Sequence, residues 1–280
     1  MKITAFLLIF TLLISGCSSK NVFKDEIADE VWNDKAISVT NELNPNGYAS
    51  LPNKVCGWGL KKNLNAPPEV PQNIISLLEK YDSYYIGKDT EKVLYLTFDE
   101  GYENGYTAKI LDVLEEKEVP AAFFITGPYL KKEKELVKRM VDEGHIVGNH
   151  TVNHPCLPEI DSAEKIKKEL FDLDEEFYKE FGKRMKFLRA PRGEFSERTL
   201  ALTNDLGYTN VFWSFAYKDW EVNNQKGAEY AYKEIMKGTF PGCILLLHAV
   251  SKDNAEVLGR VLDDLKSDGY VFKSLENLVK

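Results

Sequence analysis

The chain has 280 residues, 44% of them hydrophobic and 29% charged, with a net charge of −8 and a pI near 5.3. That is room for one large domain with a leader or for two modest domains, and the balance excludes a disordered or membrane-embedded protein. It also argues against a nucleic-acid partner, which would need clustered Lys and Arg to displace counterions.

Residues 1–16 read as an export signal. Lys2 supplies the positive start, Ile3 to Ile14 an apolar run too short for a bilayer span, and Ser15 and Gly16 the small residues before a cleavage point. The string ISGCSS resembles the bacterial lipobox, which implies lipidation at Cys17 and an anchor on the outer face of the cytoplasmic membrane. Residues 17–53 are polar, with turn formers at Asn44 to Gly47 and at Pro52-Asn53, and read as a flexible tether. Ordered structure is expected from Lys54, with 54–91 an extension packing on a domain that occupies 92–280. Once Cys17 is lipidated, Cys56, Cys156 and Cys243 remain without a CxxC spacing, so they are expected mostly as buried apolar fillers.

From Val93 onward apolar strands alternate with amphipathic helices. Strands are predicted at Val93–Phe98, Ala121–Ile125, Ile146–Gly148, Phe187–Arg189, Val211–Ser214, Ile244–His248 and Val271–Phe272. Helices are predicted at Thr107–Lys117, Lys131–Glu143, Ser162–Phe181, Ser196–Leu206, Gly227–Lys237 and Asn254–Lys266. Strict alternation predicts an α/β fold with a parallel sheet, and about seven strands suit an irregular (β/α) barrel, the open doubly wound sheet being the alternative. No GxGxxG follows the first strand, so a dinucleotide has no obvious dock.

The acidic pair Asp99-Glu100 ends the first strand, before Gly101. Strand neighbours point to opposite faces, so both carboxylates reach one site only if the strand has already turned. The alternative is a solvated acidic turn. His150-Thr-Val-Asn-His154 offers two imidazoles at i, i+4, about 5 to 6 Å apart on a helical turn, although Pro155 favours a tight loop. Two unconnected surface histidines would explain the same spacing. With one carboxylate of the pair Asp99-Glu100 as a ligand they would leave a divalent ion open positions for water and a carbonyl oxygen, the other carboxylate staying free to take a proton from the water.

Arg189 ends the strand before Pro191 and Gly193, where it could clamp a carboxylate or serve as a scaffold ion pair; Arg192 competes for the role. Phe212 and Trp213 read as core, whereas Tyr102 and Trp220 read as sugar-stacking aromatics at the barrel mouth. His248 tips a buried strand, and Asp219 on its second nitrogen would keep it charged for proton donation; a purely structural histidine is the alternative.

The motifs TFDEG, HTVNH, RAPRG, KDW and LLLH occur in an order that resembles the NodB-homology polysaccharide deacetylases, carbohydrate esterase family four. Within that family GWGLKKN, DEGYENGYT and DWEVNNQKG are similar to the delta-lactam-biosynthetic de-N-acetylases acting on muramic acid. The resemblance implies Asp99 as catalytic base, His248 as catalytic acid, Arg189 orienting Asp99, and Asp219 tuning His248. It implies His150 and His154 as ligands of a divalent metal, zinc first and manganese or magnesium as alternatives. Glu100 departs from the family's aspartate or asparagine, which leaves its ligation in question. The implied substrate is a peptidoglycan glycan strand, with lactam closure after an upstream muramoyl amidase has removed the peptide. Two rivals are an N-acetylglucosamine deacetylase of peptidoglycan or another surface glycan, and a lipid-anchored glycan-binding protein without catalysis. Arg192 is the candidate to hold the lactyl carboxylate.

Overall fold

The computed structural model describes residues 48–279 apart from 60, 62 and 89. The export signal, Cys17 and most of the expected tether lie outside the described residues. Among the described residues no helix is long and apolar enough to cross a membrane.

Seven parallel strands form one curled sheet, in the order β7 (Thr209–Asn210), β5 (Phe187–Leu188), β4 (Ile146–Asn149), β3 (Ala121–Ile125), β2 (Val93–Glu100), β9 (Ile244–Leu247) and β8 (Phe215–Ala216). β10 (Val271–Phe272) extends the pairing along the first residues of β2, with Val271 opposite Val93. This is the irregular (β/α) barrel expected from the alternation. Helices α2 (Thr107–Glu116), α3 (Gly127–Lys132), α4 (Lys134–Asp142), α5 (Ala163–Phe181), α6 (Glu197–Asp205), α7 (Ala228–Gly238) and α8 (Lys252–Ser267) connect the strands.

The period-2 rule assigns the two faces of β2. Leu94, Leu96 and Phe98 join the outer core with Ile110, Leu111 and Leu114 of α2. Val93 and Tyr95 join an inner cluster with Phe124, Phe187, Val211 and Ile244. Each fully buried aliphatic or phenyl group contributes about 1.5–3 kcal/mol. Local signals set the helix ends: the Ser162 hydroxyl accepts from Lys165 N at the start of α5, and Gly182 at φ 67 ends it.

Three boundaries differ from expectation. The helix predicted over Lys131–Glu143 is two helices, because Glu133 at φ −114, ψ 37 interrupts the spiral. The strand predicted over Val211–Ser214 lies between β7 and β8, at opposite edges of the sheet, so this stretch crosses the gap and closes the barrel. The Val211 and Phe212 carbonyls bond to the Arg189 side chain. Finally, Tyr48 to Asn53, assigned to the tether, already pack on the barrel. The Tyr48 hydroxyl donates to Asp205, Pro52 O accepts from Arg198 N, and Asn53 Nδ2 donates to Pro158 O. The extension continues through β1 (Cys56–Gly57) and α1 (Gln72–Lys80).

Candidate active site

Because β2 continues through Glu100, Asp99 and Glu100 point to opposite faces. Asp99 shares the inner face with Thr97, and there Arg189 meets both: one Nη donates to Asp99 Oδ1 at 2.8 Å and to Thr97 Oγ1 at 2.9 Å. Arg189 is fully buried, with Nε on Val211 O at 2.9 Å and its guanidinium 4.2 Å from the Phe124 ring centre. A buried cation surrounded by acceptors is well compensated. Burial alone would push the Asp99 carboxyl up, but Arg189, with His150 and His248, holds it below the usual carboxylate range. Of the two candidate arginines, it is Arg189 that holds Asp99. Thr97 was not foreseen; its place two residues before Asp99 on one strand face was the available signal.

Glu100 does not belong to this cavity, which corrects its expected place as a metal ligand. It is fully buried on the outer face with neither carboxylate oxygen hydrogen-bonded, and burial, with Glu103, Asp99 and Asp219, pushes its pKa well up. Burial without a partner thus favours its neutral, protonated form.

His150 and His154 lie on a tight loop after β4, as Pro155 suggested. Thr151 and His154 adopt φ of 68 and 56, and the loop is held by Thr151 N on Asn149 Oδ1 and His154 N on Thr151 Oγ1. The two rings are 4.8 Å apart, edge to face. His150 Nδ1 donates to Arg189 O at 2.8 Å, which fixes the tautomer and leaves the Nε2 lone pair 3.7 Å from Asp99 Oδ2. Burial lowers the His150 pKa to about 4, and burial also lowers that of His154. Two neutral imidazoles beside an acceptor-only carboxylate oxygen suit a divalent cation. Among the described residues no group of three or more His, Cys, Asp or Glu side chains is placed to hold one.

Across the cavity His248 Nδ1 donates to Asp219 Oδ1 at 2.7 Å, and His248 N donates to Asp219 Oδ2 at 2.8 Å. Burial opposes a charge on His248, but Asp219 outweighs it and raises the pKa. Asn254 Nδ2, absent from the predicted site, adds a bond of 2.7 Å to Asp219 Oδ2, while the Tyr217 hydroxyl donates to Asn254 Oδ1. Asn254 lies at the start of a surface helix, and no local pattern marks it.

Asp99, His150, His154 and His248 line one cavity of about 880 Å³, with Tyr102, Arg192, Trp213, Tyr217 and Trp220 also on its walls. Tyr102 and Trp220 are 54% and 48% exposed, as stacking surfaces at a mouth require, and Trp220 meets the His248 ring edge on at 5.6 Å. Arg192 is paired with Glu194 at the rim. A depressed carboxylate, an imidazole whose charged form a carboxylate favours and two metal-capable imidazoles in one cleft form a constellation for hydrolysing an amide or ester.

Residues 86–211 match the family described as polysaccharide deacetylase. The chain is 50% identical over 232 residues to the peptidoglycan-N-acetylmuramic acid deacetylase PdaA of Bacillus subtilis, covering 82% of this chain and 88% of that protein. The solved structure of that PdaA, a family 4 carbohydrate esterase, superposes with a TM-score of 0.79 over 81% of this chain and 98% of its own. A family 4 carbohydrate esterase from Bacillus anthracis is 48% identical, with a TM-score of 0.69 over 82% and 98%. At 30% identity the chain also resembles a peptidoglycan-N-acetylglucosamine deacetylase of Bacillus cereus, over 72% of this chain and 74% of the relative.

Proposed function

The chain belongs to the polysaccharide deacetylases, hydrolases of N-acetyl amide bonds, and from that premise we propose that it removes the acetyl group of N-acetylmuramic acid in peptidoglycan. The observation that carries the proposal is the facing pair: Asp99 bound to Arg189 on one wall, His248 bound to Asp219 on the other.

Asp99 takes the proton of the attacking water, and His248 delivers one to the departing sugar nitrogen. Arg189 keeps one carboxylate oxygen of Asp99 occupied, so the other is presented beside His150. A carboxylate held below its usual range is a weaker base, and a divalent cation on His150 and His154, zinc first with manganese or magnesium as alternatives, would acidify the water and polarise the acetyl carbonyl. Trp220 and Tyr102 offer apolar faces to sugar rings, and Arg192 at the rim offers a cation to the lactyl carboxylate.

Three extensions belong to the same proposal. Once acetate leaves, the freed amine of a muramic residue lacking its peptide condenses with the lactyl carboxyl, losing water to give a lactam. A muramoyl amidase therefore acts first. Lipidation at Cys17 would hold the enzyme against the wall from the outer face of the cytoplasmic membrane; Cys17→Ala should abolish labelled fatty-acid incorporation.

The second reading, deacetylation of N-acetylglucosamine, is favoured by the likeness to the Bacillus cereus enzyme. Mass spectrometry of peptide-free wall glycan before and after incubation separates the two. Loss of acetyl, with or without a further water, on muramic residues supports the proposal; loss confined to glucosamine residues overturns it.

A further inference from the structure

The site as described gives the extension before the barrel no part, yet Cys56 to Trp58 reach the cavity rim. β1 pairs antiparallel with β6 (Glu194–Phe195), Gly57 opposite Glu194 and Cys56 opposite Phe195. Trp58 N donates to Gly193 O at 2.9 Å, and the Trp58 indole N–H donates to Trp213 O at 2.8 Å. The indole is 5% exposed, packed against Phe212 at 4.9 Å and Tyr85 at 5.2 Å. Gly193 has φ +66, and a Cβ there would sit 2.7 Å from Trp58 Cβ and 2.8 Å from the Trp213 ring. The rim loop is thus pressed between the Trp58 methylene and the Trp213 ring, a fit only glycine permits.

Beside it, Arg192 is also held at positive φ, 57, where a side-chain-bearing residue rarely rests without external support. Its Nε and one Nη engage Glu194 Oε2 at 2.8 and 2.7 Å. At this exposure such a pair adds little to stability, so its consequence is orientation. Glu194 itself is placed by its pairing with Gly57.

We propose that Cys56–Trp58 and Glu194 are positioning elements that fix the Arg192 guanidinium at the rim and so set the site's preference for a sugar bearing a carboxylate. This rests on the reading of Arg192 as the lactyl-carboxylate partner. The strand pair and Trp58 hold the loop's backbone; Glu194 holds the guanidinium plane. Releasing either lets Arg192 sample orientations that a bound carboxylate must then reselect, which weakens binding of the anionic sugar alone.

The test measures kcat and KM of the full chain on two substrates: peptide-free peptidoglycan glycan with free lactyl carboxylates, and the same glycan with those carboxylates converted to methylamides. Trp58→Phe keeps a packed ring and removes the indole donor; Glu194→Gln keeps the shape and removes the charge. Each is expected to lower the free-acid preference about 5- to 20-fold, mainly through KM. If both substrates lose activity in the same proportion, or the preference does not move, these residues are structural only and the inference falls. If the wild-type chain shows no preference for the free acid, the Arg192 reading beneath it falls first, and this inference with it.

Discussion

Replacing Asp219 with asparagine removes the charge that favours the protonated form of His248. Asp219 is 1% exposed and receives three donors, His248 Nδ1 at 2.7 Å, His248 N at 2.8 Å and Asn254 Nδ2 at 2.7 Å. An asparagine cannot satisfy all three, since its amide nitrogen must face at least one of them. If that nitrogen faces the ring, Nδ1 becomes an acceptor and the imidazole loses its acid form. A charge-assisted hydrogen bond contributes about 1.5–3 kcal/mol, which corresponds to about 1–2 pH units in the affinity of His248 for its proton. Asp219 raises the His248 pKa, so its loss brings the pKa down, and the acid form disappears at lower pH than before. The alkaline limb of kcat/KM, read from acetate release between pH 5 and 10, is therefore expected to move about 1–2 units toward acid. At pH 8 the rate should fall by up to roughly 10- to 100-fold, the loss of acid form that such a shift produces. An unmoved alkaline limb with a normal melting curve would refute the pairing as the source of the acid.

Arg189→Met leaves the Asp99 charge buried without its partner and should cost about 3–5 kcal/mol in a denaturant titration. Because Arg189 holds the Asp99 pKa down, the acid limb of kcat/KM should move to higher pH in the same variant. Glu100→Gln should leave activity and metal affinity within about twofold, since the side chain faces the helices. The raised pKa of Glu100 means that it binds a proton on folding, so it lowers stability progressively as pH climbs above the unfolded value near 4.3. The melting temperature of Glu100→Gln relative to wild type should therefore rise between pH 5 and 8. Trp220→Ala, which removes a half-exposed stacking surface, should raise KM for glycan roughly 5- to 10-fold with little change in kcat. Chelation should abolish acetate release, and added zinc should restore it, with calorimetry showing no binding to His150→Ala.

Much of this architecture is legible before any coordinates. Apolar runs of strand length separated by amphipathic helices leave few alternatives to a parallel barrel, and Pro155 already directs His154 into a loop. The side on which Glu100 falls was not legible, because one further residue of strand reverses its direction and nothing local marks that residue. Val211–Ser214 has the apolar, aromatic composition of a strand, yet its carbonyls serve Arg189 and Trp58, a use that only the closing of the barrel creates. Trp58 and Asn254 act at sequence separations of 155 and 35 from Trp213 and Asp219, beyond the reach of any periodicity.

Asp99 is the group proposed to activate water in an N-acetyl hydrolysis. Acetate released from peptide-free peptidoglycan glycan, measured for wild type and for Asp99→Asn of equal melting temperature, is the direct measurement. The wild-type chain should release acetate in step with loss of N-acetyl from muramic residues, and Asp99→Asn should fall by about 10³-fold or more. Comparable release from the two proteins would contradict it.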